Sequence, residues 1–263
     1  MKIAVLVKEV PDAAVEKRID PSTGRLDRAG EKNLNPYDQN AIEAAVQLKE
    51  GGAVPVEEIV AITMGPEGAE RALHKAVSLG ADRSVQLTDD AVAGSDVVAT
   101  GYALAKLIER ESPDLVLLGQ QSDDGESYAI GAVVGEFLGF PALTQVSKFD
   151  VSGSTITAER QAEYGYDTVE VDLPAVISVS DAINEPRYPS LKAIMGAKKK
   201  PLEKVTIADA GIEADKVGAA GSKIECGNFT EPPKKAAGEI IEDEDTAATV
   251  EKIVAWLDER KLI

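Results

Sequence analysis

The chain has one cysteine, Cys226, and one histidine, His74, in 263 residues. A lone cysteine excludes an intrachain disulfide and cannot by itself supply a thiolate zinc site or an iron–sulfur cluster. A lone histidine leaves a Ser-His-Asp triad only one base to draw on. His74 is badly placed for that role, at the edge of a helical stripe formed by Ala69, Ala72, Leu73, Ala76 and Val77, and it reads as surface structure. No GxGxxG, no GxxxxGK(S/T) and no Ser-Gly-Gly loop occurs, so the usual phosphate-loop signatures are missing. Basic residues are scarce as well, 28 against 46 acidic, and the net charge of −18 disfavours nucleic acid and anionic membranes. No apolar run approaches the length that spans a bilayer, so direct membrane insertion is not expected. MKIAVLVKEV runs straight into a strand without the marks of a signal or transit peptide, and the expected location is the reducing cytoplasm of a bacterium or archaeon.

What is present is a regular alternation. Apolar runs at residues 2–7, 58–63, 84–87 and 115–118 read as strands, each followed by a stretch with helical periodicity. Asn35-Pro36-Tyr37-Asp38 carries the marks of a helix start, with Asn as cap, Pro at the first position and an acid three residues after the cap. Ser95 is the expected cap of a helix to about residue 110, with Val97, Gly101, Leu104 and Ile108 inward. Such alternation predicts an α/β fold with a doubly wound, mostly parallel sheet, in which ligands sit at the carboxyl ends of the strands. Residues 114–139 concentrate that expectation. Gly119 ends a buried strand, a polar loop runs from Gln120 to Glu126, and a helix follows with Ile130, Val133, Val134, Phe137 and Leu138 on its inner face. A helix start just past a strand end offers free N–H groups to an anion, and Lys8 would place an ammonium at the same edge. An ordinary βα turn would carry the same pattern.

After Pro141 the pattern turns to alternating strands at 143–150, 154–160, 168–173 and 175–180, expected to be antiparallel and to extend the sheet edge. Residues 184–200, NEPRYPSLKAIMGAKKK, place Tyr188, Leu191, Ile194 and Met195 on a segment opened by two prolines, the composition of a docking loop. Residues 1–200 are thus expected to form the α/β domain. Residues 201–263 are expected to form an extended C-terminal arm, ending in an amphipathic helix at 246–262 that packs on a partner subunit or back on its own domain.

Taken together, VLVKEVPD, LNPYDQNAIEAAVQLKE, VAITMGP, AVSLGADR, DLVLLGQQSDDG, LPAVISV and INEPRYPSLKAIMGAKKK resemble the beta subunit of electron transfer flavoprotein over essentially the whole chain. The resemblance implies a Rossmann-like sheet of the adenine nucleotide alpha hydrolase-like type. It also implies a non-enzymatic electron-carrier subunit paired with an alpha subunit that carries the redox-active FAD. Its electron donors would be acyl-CoA dehydrogenases, as in fatty-acid oxidation, or related flavoenzymes, and its acceptor a membrane quinone oxidoreductase. By the same resemblance a structural AMP lies against Leu6, Asn35, Pro36, Tyr37, Asp38 and Met64. The rest of its site would come from Gly119, Gln120, Gln121, Ser122, Asp123, Asp124, Gly125, Glu126, Ser127, Tyr128, Ala129 and Ile130. Neither a catalytic residue nor a metal ligand is implied. Leu191, flanked by Tyr188, Ile194 and Met195, becomes the apolar anchor on the dehydrogenase. The chain departs from the family pattern at Gln161, Tyr164 and Asp167, and its QSDDGES loop stands between the AMP-type and FAD-type loops. The alternative is therefore the beta subunit of an NADH-dependent electron-bifurcating flavoprotein, with a second FAD in this site.

Overall fold

The continuous apolar runs are strands buried on both faces, and they set the layout of a computed structural model that describes residues 1–224, 233, 237, 238, 240 and 245–263. Cys226, Pro232 and most of the acidic stretch 239–245 lie outside the described residues. From β1 (Lys2–Leu6) the chain makes an excursion through β2 (Glu9–Pro11), the short pair β3 (Ile19–Asp20) and β4 (Arg25–Leu26), and β5 (Lys32–Leu34). Helix α1 (Pro36–Gly51), β6 (Glu58–Met64), α2 (Glu70–Leu79), β7 (Arg83–Leu87), α3 (Val97–Glu111), β8 (Leu115–Gly119) and α4 (Ile130–Leu138) then alternate as predicted. Next come β9 (Ala142–Ser152), β10 (Thr155–Ala162), β11 (Gly165–Asp172) and β12 (Ala175–Val179). The chain continues with α5 (Leu191–Ala197), β13 (Leu202–Val205), α6 (Gly218–Gly221) and α7 (Thr246–Glu259).

The main sheet has the order β11-β10-β9-β12-β8-β1-β6-β7-β13. Neighbours from β9 through β13 pair in parallel, and only β10 and β11 run against their neighbours. Period-2 alternation of side chains sends Ile3 and Val5 to one core with Ile42, Ala45, Leu73 and Val77 of α1 and α2. Ala4 and Leu6 go to the other, with Leu104, Leu107, Ile108 and Val134 of α3 and α4. Two covered faces are what an interior parallel sheet requires.

Three expectations change. First, β12 is not an antiparallel partner of β11. It lies between β9 and β8, parallel to both, because all five of its residues are buried, whereas β11 alternates half-buried with exposed. Second, α4 does not bury Phe137, whose ring is 42% exposed and meets Tyr102 edge-on at 5.6 Å. Its buried face is Gly131, Val134 and Gly135, and Ile130, Val133 and Leu138 are half-buried. Third, the arm does not begin at 201. β13 pairs with β7 as an edge strand, and Val205, Ile212 and Val217 are buried in the α3-side core. These apolar residues are too sparse to show a period, yet each fills a place beside α3. The chain divides instead into compact units at Met1–Gly227 and Asn228–Ile263. In the second unit α7 is capped by Asp245, which accepts from the Ala247 N–H, and none of its residues is buried. Among the described residues no helix is long and apolar enough to cross a membrane.

Helices α3 and α4 touch where Gly101 faces Val133, and a Cβ at position 101 would fall 2.4 Å from Val133 Cγ1 and 3.0 Å from its Cβ. The stiff β-branched side chain has little room to turn away. Gly101→Ala is expected to lower the unfolding free energy by about 1–3 kcal/mol through overpacking, measured by urea denaturation.

Candidate functional site

Strands β8, β1 and β6 are adjacent and parallel, so their carboxyl ends open onto one edge. A cleft of about 300 Å3 lies there. Leu6, Ile62, Met64, Leu104, Leu118 and Ile130 give it an apolar floor, and Lys8, Ser95, Asp96, Thr100, Gln120, Gln121, Ser122 and Ser127 give it a polar rim. Val7, Asn35, Asp38, Val97, Gly119 and Gly125 complete the lining.

The wall on the α1 side is built around Asp38, one turn into the helix. Its buried carboxylate accepts from the Lys8 N–H at 2.8 Å, the Asn35 Nδ2 amide at 2.9 Å and the Gly119 N–H at 3.2 Å. Burial pushes the carboxyl up to about 7, against the pull of these three donors and of the Lys8 charge. Asn35 is the residue before α1, as predicted, but its side chain caps nothing. Its amide donates to Gln121 O at 2.8 Å and accepts from the Asp123 N–H at 3.0 Å, which fastens the 120–128 loop to α1. Gly119 is required by contact: a Cβ there would fall 2.5 Å from Tyr37 Cβ and 2.7 Å from Asp38 Oδ1.

Ionic bonds from the excursion hold the loop on its other side. The Asp124 carboxylate, wholly buried, accepts from Lys8 Nζ at 2.7 Å and from Arg28 Nε and Nη2 at 3.1 and 2.7 Å. Although burial opposes it, the charge of Lys8 and the donors from Lys8, Arg28 and Ser122 hold the Asp124 carboxyl down at about 2. Lys17 binds the Asp123 carbonyl and carboxylate at 2.8 and 3.0 Å. Within this frame Glu126 and Tyr128 take left-handed backbone conformations, with φ of 44° and 54°. Gln121 donates from Nε2 to the Tyr37 hydroxyl at 3.1 Å, and its buried Oε1 has no hydrogen-bond partner among the described residues.

Of the predicted site residues, Leu6, Asn35, Asp38, Met64, Gly119, Gln120, Gln121, Ser122, Gly125, Ser127 and Ile130 line the cleft. Pro36 and Asp123 line a neighbouring one of about 270 Å3. Tyr37, Asp124, Glu126, Tyr128 and Ala129 are not in the lining, and Tyr37 and Asp124 support it from behind. The wall from α3 was missed. Asp96, not Ser95, caps that helix: Asp96 Oδ1 accepts from the Ala99 N–H at 2.8 Å, while Ser95 Oγ donates to Val92 O and accepts from the Gly218 N–H. Ser95-Asp96 at a helix start after β7 was the available signal, on the same sheet edge as the other junctions. The four predicted docking residues stand apart from the cleft lining and are exposed: Tyr188 94%, Leu191 73%, Ile194 49% and Met195 69%.

Fold and cleft define a class: a doubly wound α/β protein with a small-molecule-sized cleft at the carboxyl edge of its parallel strands. Residues 23–210 match the electron transfer flavoprotein domain family. The chain is 42% identical over 265 residues to the electron transfer flavoprotein subunit beta of Mycobacterium tuberculosis, covering 99% of each. It is 39% identical over 267 residues to that of Thermoanaerobacterium thermosaccharolyticum, covering 100% of each, and 34% identical over 273 residues to that of Megasphaera elsdenii. The chain belongs to the electron transfer flavoprotein beta-subunit family, whose members are electron-transfer proteins.

The two carboxyls titrate with opposite signs. Asp124, held below its ordinary value of 3.8, contributes stability that is present above that pH and lost as pH falls toward 2. Asp38, held above its ordinary value, favours folding less as pH rises from 3.8 to about 7. Asp124→Asn is expected to lower stability by about 2 kcal/mol near neutral pH and to flatten the acid limb of the stability profile, followed by denaturant titration across pH.

Proposed function

We propose that this chain is the non-catalytic beta subunit of a heterodimeric electron transfer flavoprotein, holding a structural AMP in the cleft while the alpha partner carries the redox-active FAD. The observation that carries the reading is the cleft itself. Its apolar floor suits an adenine ring and its hydroxyl and amide rim suits ribose and phosphate oxygens. Gln121 Oε1, unpaired among the described residues, is a buried acceptor of the kind a bound donor satisfies. Lys8 and Arg28 share the single Asp124 carboxylate, which leaves a positive charge in excess beside the rim where a phosphate would lie. A volume of about 300 Å3, at the low end for ligand pockets, favours a mononucleotide over a complete second FAD. The AMP would act as mortar between the strand ends, the 120–128 loop and α3, with no part in the redox step.

In this reading the Tyr188–Met195 segment docks acyl-CoA dehydrogenases or related flavoenzymes, and a quinone oxidoreductase accepts the electrons. Exposed apolar side chains this close together mark an interaction surface. The exposed Val250, Ile253, Val254 and Trp256 of α7 suit packing on the alpha subunit, which would meet this chain in the cytoplasm.

Denaturing the purified heterodimer and identifying the released nucleotides by mass spectrometry tests the reading. One FAD and one AMP per pair are expected. Two flavins, with reduction by NADH, would establish the bifurcating alternative, and no adenine nucleotide on this chain would overturn the site. Leu191→Ala is expected to leave nucleotide content and thermal stability unchanged and to cut kcat/KM for the dehydrogenase donor by about 30-fold, the effect of losing an interface anchor worth about 2 kcal/mol.

A further inference from the structure

The exposed docking segment has little apolar support beyond the packing of α5 on α2, where Ala197 joins the core. Between Asn184 and Gly196 no side chain is buried, and the first buried residue is Ala197. Ahead of α5, polar bonds to α1 hold it. Arg187 is the main one. Its guanidinium forks onto two carboxylates placed two helical turns apart: Nε and Nη2 donate to Glu43 at 2.7 and 3.1 Å, and Nη1 and Nη2 donate to Glu50 at 2.7 and 2.8 Å. The Arg187 N–H adds a contact to Glu43 Oε2 at 3.3 Å. Glu43 is itself buried, and Gln47 Nε2 orients it at 2.9 Å. Three residues upstream, Asn40 and Asn184 exchange bonds in both directions, Asn40 Nδ2 to Asn184 O at 2.9 Å and Asn184 Nδ2 to Asn40 O at 3.0 Å. At the far end Lys200 Nζ donates to Ala81 O at 2.9 Å.

We infer that Arg187, assisted by Asn184, is a positioning residue for partner docking: it pins the base of the exposed segment to α1 and so holds Leu191, Ile194 and Met195 in their binding arrangement before a partner arrives. An ordinary surface ion pair contributes little, but this one has a buried carboxylate, a bidentate fork and an adjoining amide pair. A segment ordered in advance loses less conformational freedom on binding, so its affinity depends on the clamp although the clamp touches no partner. The clamp also ends on the helix whose first turn, at Asp38, forms a wall of the cleft. The inference rests on the docking reading above.

Removing Arg187 alone would strand the buried Glu43 charge, so the decisive variant is the neutral pair Arg187→Gln with Glu43→Gln, studied in the intact heterodimer beside Arg187→Lys and Leu191→Ala. Amide hydrogen exchange across 188–196 is expected to speed up about tenfold in the double variant while the protection of β1 and β8 stays unchanged. KM for a substrate-reduced acyl-CoA dehydrogenase is expected to rise about tenfold with kcat retained, and Arg187→Lys, which lacks the fork, to fall in between. Unchanged exchange in 188–196 overturns the clamp. Unchanged KM in the double variant, with KM raised by Leu191→Ala, overturns the clamp and leaves docking at Leu191 standing. Unchanged KM in both variants overturns the docking reading itself, and the clamp's purpose with it.

Discussion

The buried carboxylate of Asp38 is the point on which the site depends. A carboxylate taken out of water is costly unless donors surround it, and here the donors come from the ends of two adjacent strands and from the residue before its own helix. Each bond therefore fixes one element against another: Lys8 after β1, Gly119 at the end of β8, Asn35 before α1. The close approach of α1 to β8 follows, and with it the need for a residue without Cβ at 119. Asn35 then carries the order outward to the 120–128 loop, whose other side is held by Lys8, Arg28 and Lys17.

A second principle governs the parts that have no core. The 120–128 loop and the 184–196 segment bury little apolar surface, and both are held by charge-assisted hydrogen bonds. In the loop, Lys8, Arg28 and Lys17 neutralise Asp123 and Asp124, so scarce cations are concentrated where a chain of net charge −18 would otherwise repel itself. In the segment, Arg187 performs the same service with the signs exchanged, a single cation held by two carboxylates of α1. Both arrangements leave the apolar surface free: the cleft keeps its apolar floor, and Tyr188, Leu191, Ile194 and Met195 keep their exposure.

This division of labour suits an electron-transfer flavoprotein subunit. The sheet supplies rigidity, the strand ends supply a shaped cleft, and the exposed segment from Tyr188 to Met195 lies apart from the cleft lining. Fold and family agree with the apolar runs, the Asn-Pro helix start and the NEPRYPSLKAIM motif, because each is a local signal that survives into the tertiary structure.

Periodicity carried the parallel sheet, the alternation with helices and most of the floor of the cleft, since strands buried on both faces and amphipathic helices write their burial into neighbouring residues. Position 175–179 shows the limit. Its continuous apolar run declared a buried strand, but only the assembled sheet placed it between β9 and β8, because strand order depends on contacts far apart in sequence. The same holds for the edge strand at 202–205 and the isolated Val205, Ile212 and Val217 that seal the α3-side core. In the cleft, Asp124, placed in the site by resemblance alone, is held by Lys8 and Arg28 behind the lining, while Asp96 at the start of α3 and Thr100 within it join the lining. Local sequence specifies which groups are polar and which helix they begin. Which of them meets a cation more than a hundred residues away, and which is left facing the cleft, is decided only when the chain closes on itself.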